Sequence, residues 1–504
     1  MSVYSKEILE QVNDLLNIGI ALSAEKDHQK LLERILNEAR RITQCDAGTL
    51  YILEEGHLAF KIIQNDTLKI YQGGLGKTIN LPPVEISRTA VSGYCALEKK
   101  VINIPDVYNT EFGGIDFSGP KRYDSMTGYK TVSMLVVPLE DYTGTTIGVL
   151  QLLNAKNEEG QVVPFCKYFE QVVRSLGSQA AVSINNMRYL KEIDTMLHAF
   201  VQVISTAIDE RSPYNARHTC NVAKLVGDFA DYLKREGAIS TQYLSEEEID
   251  QLVMAAWLHD IGKIAVPLEI MDKPSRLGDR YELVSNRMMT IREQLKVQAI
   301  KMAIEEDQLR TDMGIKAFLR TIAEIEEEMH DICILLKEAN GPACFVDEKM
   351  QLIIKKIAAR TWFTETGEEE PWLLPLEVEA LTVSRGTLTD KERQSMENHV
   401  NITKRMLDQI PFGSKYAAVP GWASMHHELL DGTGYPEQLK AEELPFAVRI
   451  LTIMDVYDAL TAVDRPYKKA LSTEKAFSIL EDMASKGKID GELVYLFRKS
   501  KIWD

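Results

Sequence analysis

Two short motifs place histidines beside carboxylates. Residues 258–263 read Leu-His-Asp-Ile-Gly-Lys, and residues 425–436 read Met-His-His-Glu-Leu-Leu-Asp-Gly-Thr-Gly-Tyr-Pro. The chain has only nine histidines, so their clustering beside carboxylates is not what randomly placed surface histidines would give. Imidazole nitrogens and carboxylate oxygens together suit divalent metals. Together with His218, His399 and Asp455, these histidines and carboxylates could hold a pair of metal ions. The pattern therefore predicts a metal-dependent hydrolase.

The surroundings of His259 and Asp260 favour metal coordination over a structural role. An isolated histidine such as His218 is more often packed or solvated than a ligand. His259 and Asp260 directly follow the apolar residues 254–258, which predict a buried helix end. Burying an imidazole and a carboxylate without partners costs several kcal/mol, whereas coordination to a cation satisfies both.

The elements that must position these residues lie in the second half of the chain. Residues 209–504 are mostly helical in pattern, with no alternating strand signal of any length. Within them, the charge-rich residues 278–387 predict a helical insertion, with a helical hairpin followed by a shorter helix and a loop. Residues 188–208 predict a linker helix whose apolar residues recur every three or four positions. Signal transmission in a dimer and simple packing both stay open for it.

The first region, residues 15–187, has a different pattern. An amphipathic helix is predicted at residues 31–42, and short apolar strands at residues 47–53 and 146–154. A further helix runs through residues 180–186. Helices that flank a strand-rich centre predict an α+β domain, with helices packed on one face of an antiparallel sheet.

Composition excludes several classes of protein. With 504 residues, of which 45% are apolar and 26% charged, the chain is long enough for two or three globular domains. No apolar run reaches the ~20 residues that span a bilayer, and the start lacks an export signal, so we expect a cytoplasmic protein without membrane association. Six scattered cysteines without CxxC spacing argue against a disulfide framework. The net charge of −17 disfavours binding to long nucleic acids.

The first region also resembles a GAF domain. The resemblance is carried by residues 45–48, 92–96, 102–108 and the strand that ends at residues 154–156. It implies a fold used for small-molecule sensing and for dimerisation. The signature of cyclic-nucleotide-binding GAF domains is present only in pieces, because Lys156 is displaced by one residue and Phe169 stands where an aspartate is expected. The retained pieces are Asn154, Phe165 and Glu170. A bound small molecule and a purely structural role both stay open.

The second region resembles the HD-GYP family of cyclic di-GMP phosphodiesterases. The match extends from about residue 211 to residue 497, except for the insertion, and contains many ordered motifs. These are His218, residues 259–263, Lys273-Pro274, His399, residues 426–428 and 431–436, Arg449-Ile450, residues 455–461 and residues 465–467. The resemblance implies a multidomain protein, with an α+β GAF domain (15–187), a linker helix (188–208) and an all-α HD-type phosphohydrolase domain (209–504) that carries the helical insertion (278–387).

The resemblance also implies a ligand set for two divalent metals, with Fe or Mn favoured. The first metal would be held by His218, His259, Asp260 and Asp455. Asp260 would bridge to the second metal, which would also take His399, His426 and His427. Cations that share a carboxylate can lower the pKa of a bound water toward ~7 and neutralise phosphate oxygens under attack.

Further residues are candidates for substrate contact. Lys263 would lie one helical turn beyond Asp260 if the helix continues, within reach of a phosphate oxygen. Arg465 and Lys468 are candidates for a second phosphate or a guanine edge, with plain surface charge as the competing interpretation. Tyr435 would shape the pocket or a partner surface, and Gly432 and Gly434 would allow its loop to turn tightly.

Two departures from the family pattern stand out. Some members have a glutamate four residues before the first histidine that supports a third metal, whereas this chain has Tyr214, so two metals are expected. The insertion separates Lys273-Pro274 from the helix that bears His399, which the site can tolerate because a longer loop costs little entropy. A lid, a dimer contact and a simple protrusion all stay open for the insertion.

The sequence therefore predicts a GAF-regulated, metal-dependent phosphodiesterase that hydrolyses cyclic di-GMP to linear pGpG, with further hydrolysis to GMP left open. We expect a homodimer, a cyclic dinucleotide substrate and no long nucleic acid partner. Two alternatives remain: a hydrolase of another cyclic dinucleotide, and a receptor that binds the ligand without turnover. All seven metal-ligand positions are intact, which argues against the receptor.

Overall fold

The structure is a computed structural model that describes residues 16–109, 117–212, 217–236, 244–462 and 470–503. The chain divides into two compact units, Met1–Met196 and Leu197–Asp504. No helix among the described residues combines the length and apolar character needed to cross a membrane.

The first unit is built on an antiparallel sheet. Its strands are β1 (Cys45–Glu54), β2 (His57–Asn65), β3 (Ile70–Gly73), β4 (Val84–Glu85), β5 (Ile102–Ile104), β6 (Met134–Glu140), β7 (Thr146–Lys156) and β8 (Val162–Val163). The order across the sheet is β3-β2-β1-β7-β6-β5, with β4 on β2 and β8 on β7. In the central pair, Leu50 lies opposite Leu150. The strands predicted at residues 47–53 and 146–154 are confirmed.

Helices cover both faces of this sheet. They are α1 (residues 16–24), α2 (His28–Thr43), α3 (Val91–Glu98), α4 (Ser118–Thr127) and the start of α5 (Lys167–Asp209). Side chains of α1, α2 and α5, such as Leu36 and Leu176, pack with Leu50 on one face. Helix α3 packs on the opposite face, where Cys95 meets Met134. The predicted α+β class is confirmed, but the expectation that helices cover only one face was incomplete.

Helix α5 is longer than the predicted linker and contributes residues to both units. The predicted apolar positions behave in two ways. In the second unit, Val201 is buried and Leu197 and Ile204 pack against a core cluster, whereas in the first unit Leu190 and Ile193 are exposed. Helix α5 is therefore packed at its start, on the sheet of the first unit, and at its end, in the second unit, whereas Leu190 and Ile193 between them are exposed.

The second unit is mostly helical, as predicted. Its helices are α6 (His218–Glu236), α7 (Glu246–Leu258), α8 (Leu268–Met271), α9 (Arg280–Glu305), α10 (Asp312–Asn340), α11 (Glu348–Ala358), α12 (Pro375–Leu381), α13 (Asp390–Glu397), α14 (His399–Leu407), α15 (Val419–Ser424), α16 (Phe446–Thr461), α17 (Thr473–Ser485) and α18 (Gly491–Ser500). A core of α6, α7, α16, α17 and α18 side chains includes Phe229, Phe477 and Phe497. A second cluster, with Met254, Leu407 and Ala423, joins α7, α14 and α15.

The insertion folds around a core of its own. Helices α9 and α10 form the predicted hairpin, and α11 is the predicted shorter helix, with Met288, Leu336 and Trp372 in the shared core. Two short strands, β9 (Thr361–Phe363) and β10 (Glu369–Pro371), form a hairpin that the sequence did not indicate.

A buried arginine closes the base of the insertion. The fully buried Arg276 donates hydrogen bonds to the carbonyls of Val383, Ala339, Gly341 and Cys344, at 2.5 to 2.9 Å. Carbonyls at a helix end lack intrahelical partners, and a guanidinium can satisfy several at once. The two ends of the insertion are thereby tied together, so its length need not disturb the helices that flank it.

Candidate metal centre

The second unit brings the seven predicted metal-ligand residues together from five parts of the chain. Four of them stand at helix ends: His218 is the first residue of α6, His399 is the first residue of α14, and His259 and Asp260 directly follow α7. The other three are His426 and His427, which follow α15, and Asp455 within α16. Six of the seven are buried, and His427 has a side chain that is 27% exposed.

The carboxylate of Asp260 faces histidines with each of its oxygens. Its Oδ2 lies 3.2 Å from His259 Nε2 and 3.5 Å from His218 Nε2. Its Oδ1 lies 3.4 Å from His399 Nε2 and 3.8 Å from His426 Nε2. Donor atoms bound to one cation at about 2.1 Å lie roughly 3.0 to 3.4 Å apart. This arrangement suits a carboxylate that bridges two cations.

Asp455 also faces both groups of histidines. Its Oδ1 lies 3.1 Å from His218 Nε2 and 3.8 Å from His259 Nε2, and its Oδ2 lies 3.8 Å from His427 Nδ1. The donor atoms of His218, His259 and Asp260 lie within 4.8 Å of one another, as do those of His399, His426 and His427. The structure therefore contains two adjacent groups that could each hold a metal.

Backbone carbonyls fix the tautomer of three of the histidines. The Nδ1 atoms of His259, His399 and His426 lie 2.7, 2.6 and 2.7 Å from the carbonyl oxygens three residues earlier. A carbonyl oxygen only accepts, so each Nδ1 must carry the proton and donate it. The Nε2 lone pairs are therefore free and point into the cluster, as metal ligation requires.

Four of the atoms that would bind a metal have no hydrogen-bond partner. The set is His259 Nε2, His399 Nε2, His426 Nε2 and Asp260 Oδ1, and all four are buried. Burying acceptors without partners is costly, and most buried polar groups in proteins are paired. Four orphaned acceptors in one place fit a bound cation, which would satisfy them together.

Ionisation of the cluster is consistent with this fit. Burial opposes charge on Asp260 and Asp455, but nearby histidines, joined at Asp260 by Lys263, outweigh it and lower the pKa of both carboxyls. Burial lowers the pKa of His426 well below its usual value and that of His427 to about 4, so both rings are neutral near pH 7, as metal ligation would require.

His218 stands between two carboxylates. Burial disfavours its charged form, but hydrogen bonds to Asp455 and Asp458 outweigh burial and raise its pKa to about 10. Without a cation, a proton on this ring supplies the positive charge that the carboxylates require. A metal at this position would displace that proton.

Lys263 contacts the carboxylate of Asp260. The helix α7 does not continue through it as expected, because a 3₁₀ helix, Ile261–Ala265, follows Asp260. Its Nζ donates to Asp260 Oδ2 at 2.5 Å. The side chain is 19% exposed, so the ammonium stands at the edge of the cluster, accessible to an anion.

Close packing holds the 3₁₀ helix against α14. A Cβ on Gly262 would lie 2.0 Å from the carbonyl oxygen of His399, so no other residue fits without a backbone shift. Thr403 Oγ1 accepts from the Gly262 N–H and donates to the carbonyl of His259. The two halves of the cluster are thereby joined through their backbones.

The loop after His427 returns onto the cluster. The ring of Tyr435 lies 4.8 Å from that of His427, and its N–H donates to the His427 carbonyl. A Cβ on Gly434 would lie 2.4 Å from the backbone nitrogen of Leu429, which explains glycine there. The buried Glu428 accepts from the N–H groups of Glu437 and Leu439 and fixes the loop.

Sequence reasoning missed one residue of the cluster. Asp458 is buried, and its Oδ2 lies 2.6 Å from His218 Nδ1. A carboxylate behind a histidine fixes the ring and raises its basicity. The signal was present, since Asp458 follows Asp455 by three residues on α16 and therefore shares its face.

Three sequence predictions fall outside the described residues. Arg465 and Lys468, the candidates for substrate contact, are among residues 463–469, and Tyr214, which replaces the glutamate of some family members, is among residues 213–216. Their roles stay predictions.

Comparison with protein families agrees with the two units. The GAF domain family matches residues 27–184, and the HD domain family matches residues 215–340 and, through a second model, residues 372–493. Among solved structures, the GAF domain from an Acinetobacter phosphoenolpyruvate-protein phosphotransferase is 16% identical, covering 36% of this chain and 98% of that chain with a TM-score of 0.28.

Curated relatives are found in Vibrio cholerae. A 3'3'-cGAMP-specific phosphodiesterase is 36% identical over 97 residues, which is 19% of this chain and 20% of the relative. A cyclic di-GMP phosphodiesterase is 38% identical over 106 residues, or 20% of this chain and 21% of the relative. The chain thus matches about a fifth of the length of each. It carries a GAF domain followed by an HD domain and is similar in sequence to bacterial cyclic dinucleotide phosphodiesterases.

Proposed function

We propose that the protein is a metal-dependent phosphodiesterase that hydrolyses cyclic di-GMP to linear pGpG. The observation that carries this proposal is the convergence of four buried, unpaired acceptors from His259, His399, His426 and Asp260. The names of the Vibrio cholerae relatives support the substrate class. A mixed cyclic dinucleotide is the second candidate, because one of those relatives is named for cGAMP.

We infer that the cluster would hold two divalent cations; its nitrogen and oxygen donors suit several metals, and the resemblance to the HD-GYP family favours Fe or Mn among them. Asp260 would bridge the two cations. The first half-site would be completed by His218, His259 and Asp455, and the second by His399, His426 and His427. Such cations would activate water for attack on phosphorus and neutralise charge on the phosphate.

The side chains of the protein would divide the remaining work. The Lys263 ammonium, held beside Asp260, is placed to contact a non-bridging phosphate oxygen and stabilise charge that develops on it. Near pH 7 no proton would have to leave four of the residues before a metal binds, because His426 and His427 are neutral and Asp260 and Asp455 are ionised. Tyr435 holds the His427 ring and forms one wall of the site.

We also propose that the domains follow the predicted boundaries and that the GAF domain regulates hydrolysis. Helix α5 contributes residues to both units, so it is the covalent route for such a signal. Its end contacts the helix that leads into His259 and Asp260, since Ser205 Oγ donates to the carbonyl of Trp257 on α7.

A homodimer is favoured by an exposed stripe on α5. Val182, Asn186, Tyr189, Ile193 and Met196 follow one another by four, three, four and three residues, and all five are exposed. This is the a/d spacing of a coiled-coil seam, and asparagine at an a position is known to specify register. A second copy of the chain would supply the matching stripe.

The stripe gives a direct test of oligomeric state. Ile193→Glu places a charge in the middle of the seam, so the variant is expected to sediment as a monomer where the wild type sediments as a dimer. Lys191→Glu, on the same helix but outside the stripe, is the matched control. A dimer that survives Ile193→Glu would place the interface elsewhere.

The function itself is tested by two measurements on one preparation. Elemental analysis of protein purified without added metal should find close to two metals per chain. Cyclic di-GMP and 3'3'-cGAMP should then be incubated with the protein, with and without added Mn or Fe(II). Turnover that follows metal content supports the enzyme, and the faster substrate identifies the preferred dinucleotide. Metal-loaded protein that binds dinucleotide but leaves it intact would instead identify a receptor.

A further inference from the structure

The residue before His218 cannot cap the helix that His218 starts. Arg217 stands at the capping position, since its carbonyl accepts the first helical hydrogen bond from Asn221. Caps are normally Ser, Thr, Asp or Asn, whose side chains accept from the free N–H groups of the first turn. A guanidinium only donates, so Arg217 cannot serve.

Asp209 performs this role from ten residues away. It is the last residue of α5 and is 6% exposed. Its Oδ2 accepts from the backbone N–H of Thr219 at 3.1 Å, and its Oδ1 accepts from Thr219 Oγ1 at 2.8 Å. The first turn of α6, next to the metal-ligand residue His218, is therefore held by the end of α5. A carboxylate at a helix N-terminus is also favoured by the helix dipole.

The same end of α5 also contacts α7 and the 3₁₀ helix, between which His259 and Asp260 lie. Ser205 Oγ donates to the carbonyl of Trp257, two residues before His259. Just beyond the helix, Arg211 donates to the carbonyls of Lys263 and Ile264, at 3.1 and 2.5 Å. These hydrogen bonds all go to segments of the first half-site, whereas the same stretch of α5 meets α14 and α15 through apolar packing, in a core cluster that includes Val201, Ile208, Leu407 and Ala423.

We propose that Asp209 is a positioning residue that sets the metal affinity of the half-site of His218, His259 and Asp455, and that the end of α5 thereby controls this half-site selectively. The inference rests on the proposed function and deepens it, because it assigns regulation to one of the two cations. With Asp458 fixing the ring from behind, Asp209 fixes the backbone from which His218 extends. Loss of this hold lets the helix start fray and moves one ligand of the set.

The test isolates each half-site in the full chain. His399→Ala leaves the first half-site, and His218→Ala leaves the second. Asp209→Ala is added to each background, and Co(II) binding is measured by calorimetry together with the absorption spectrum of the bound ion. Loss of an orienting partner typically lowers metal affinity about 10- to 100-fold. We expect that loss in the His399→Ala background and less than a twofold change in the His218→Ala background.

Two further variants guard against simple misfolding. Thr219→Val removes one of the two hydrogen bonds and should give a smaller loss, while Thr219→Ser keeps both and should match the parent. Equal weakening of both half-sites, or of neither, would overturn the inference. If instead His218→Ala and His399→Ala each retain the full metal content of the wild type, the proposed metal centre itself is wrong, and the inference with it.

Discussion

Each unit of the molecule buries a cluster of polar side chains, and the two clusters differ in one respect. In the first unit, Asp46, Tyr129 and Asn154 lie within the GAF fold and are each at most 5% exposed. In the second, Asp260 and its histidines are buried to a similar degree. Only the second cluster contains several unpaired acceptors.

The GAF cluster satisfies itself. Asp46 accepts from Thr67 Oγ1 and Tyr129 OH, both at 2.9 Å, and pairs with Lys156. Asn154 donates to Tyr129 OH and to a backbone carbonyl, and its Oδ1 accepts from two backbone N–H groups. An amide has two donors and one acceptor oxygen, so Asn154 has no capacity left for a ligand. This favours its structural interpretation over a ligand-binding signature.

The difference teaches how to separate a structural polar cluster from a functional one. Burial and polarity are the same in both, so neither property discriminates. Isolated unpaired atoms occur elsewhere among the described residues, for example Gln179 Oε1, but they do not converge. Convergence of unpaired acceptors around one point is what requires an external partner.

The largest expected effect follows from removing the shared carboxylate. Asp260→Ala should lose both metals, because its oxygens face both groups of histidines. Metal catalysis supplies several kcal/mol, so turnover should fall by about 10³-fold or more. Elemental analysis and hydrolysis assays measure the two losses, and the melting transition of the GAF domain should not move. Full activity in this variant would refute the two-metal assignment.

A smaller loss is expected at Lys263. Lys263→Ala removes the ammonium beside Asp260 but none of the predicted ligands, so metal content should be retained. Loss of one group that stabilises developing charge costs about 10²- to 10³-fold in rate. Single-turnover hydrolysis with metal-saturated protein measures it, and Lys301→Ala, an exposed lysine of α9, is the control. An unchanged rate would show that Lys263 has no role in the chemical step and is only a surface charge.

The sequence predicted the cluster better than the fold around it. His259, His426 and the other predicted ligands converge because residue type, spacing and family resemblance all point to the same chemistry. The hairpin of β9 and β10, the fit of Gly262 against His399 and the buried Arg276 depend on contacts between distant segments, which no local pattern contains. Asp458 was partly predictable, since the sequence shows that it shares a helix face with Asp455 but not that it contacts His218.

Asp458 gives the next prediction. Asp458→Ala leaves His218 as a ligand but frees its Nδ1, so the first half-site should bind metal about 10- to 100-fold more weakly. Asp458→Asn keeps an acceptor oxygen and should lose less. Competition with a chelator of known affinity measures both. If the two variants bind metal as tightly as the wild type, the hydrogen bond behind His218 contributes nothing to the site.

The smallest effect on the metal centre is expected from the GAF cluster. Asn154 has φ of 57°, a left-handed conformation that asparagine and glycine tolerate better than alanine. Asn154→Ala removes its hydrogen bonds and adds backbone strain, so the GAF domain should lose about 2–4 kcal/mol of stability. Asn154→Gly loses the same hydrogen bonds without the strain and should be about 1 kcal/mol more stable than Asn154→Ala. Denaturant unfolding measures both differences, and metal content should stay at the wild-type value. Metal loss on either substitution would mean that the two clusters are coupled, because a cluster that satisfies itself has no other means of acting on the ions.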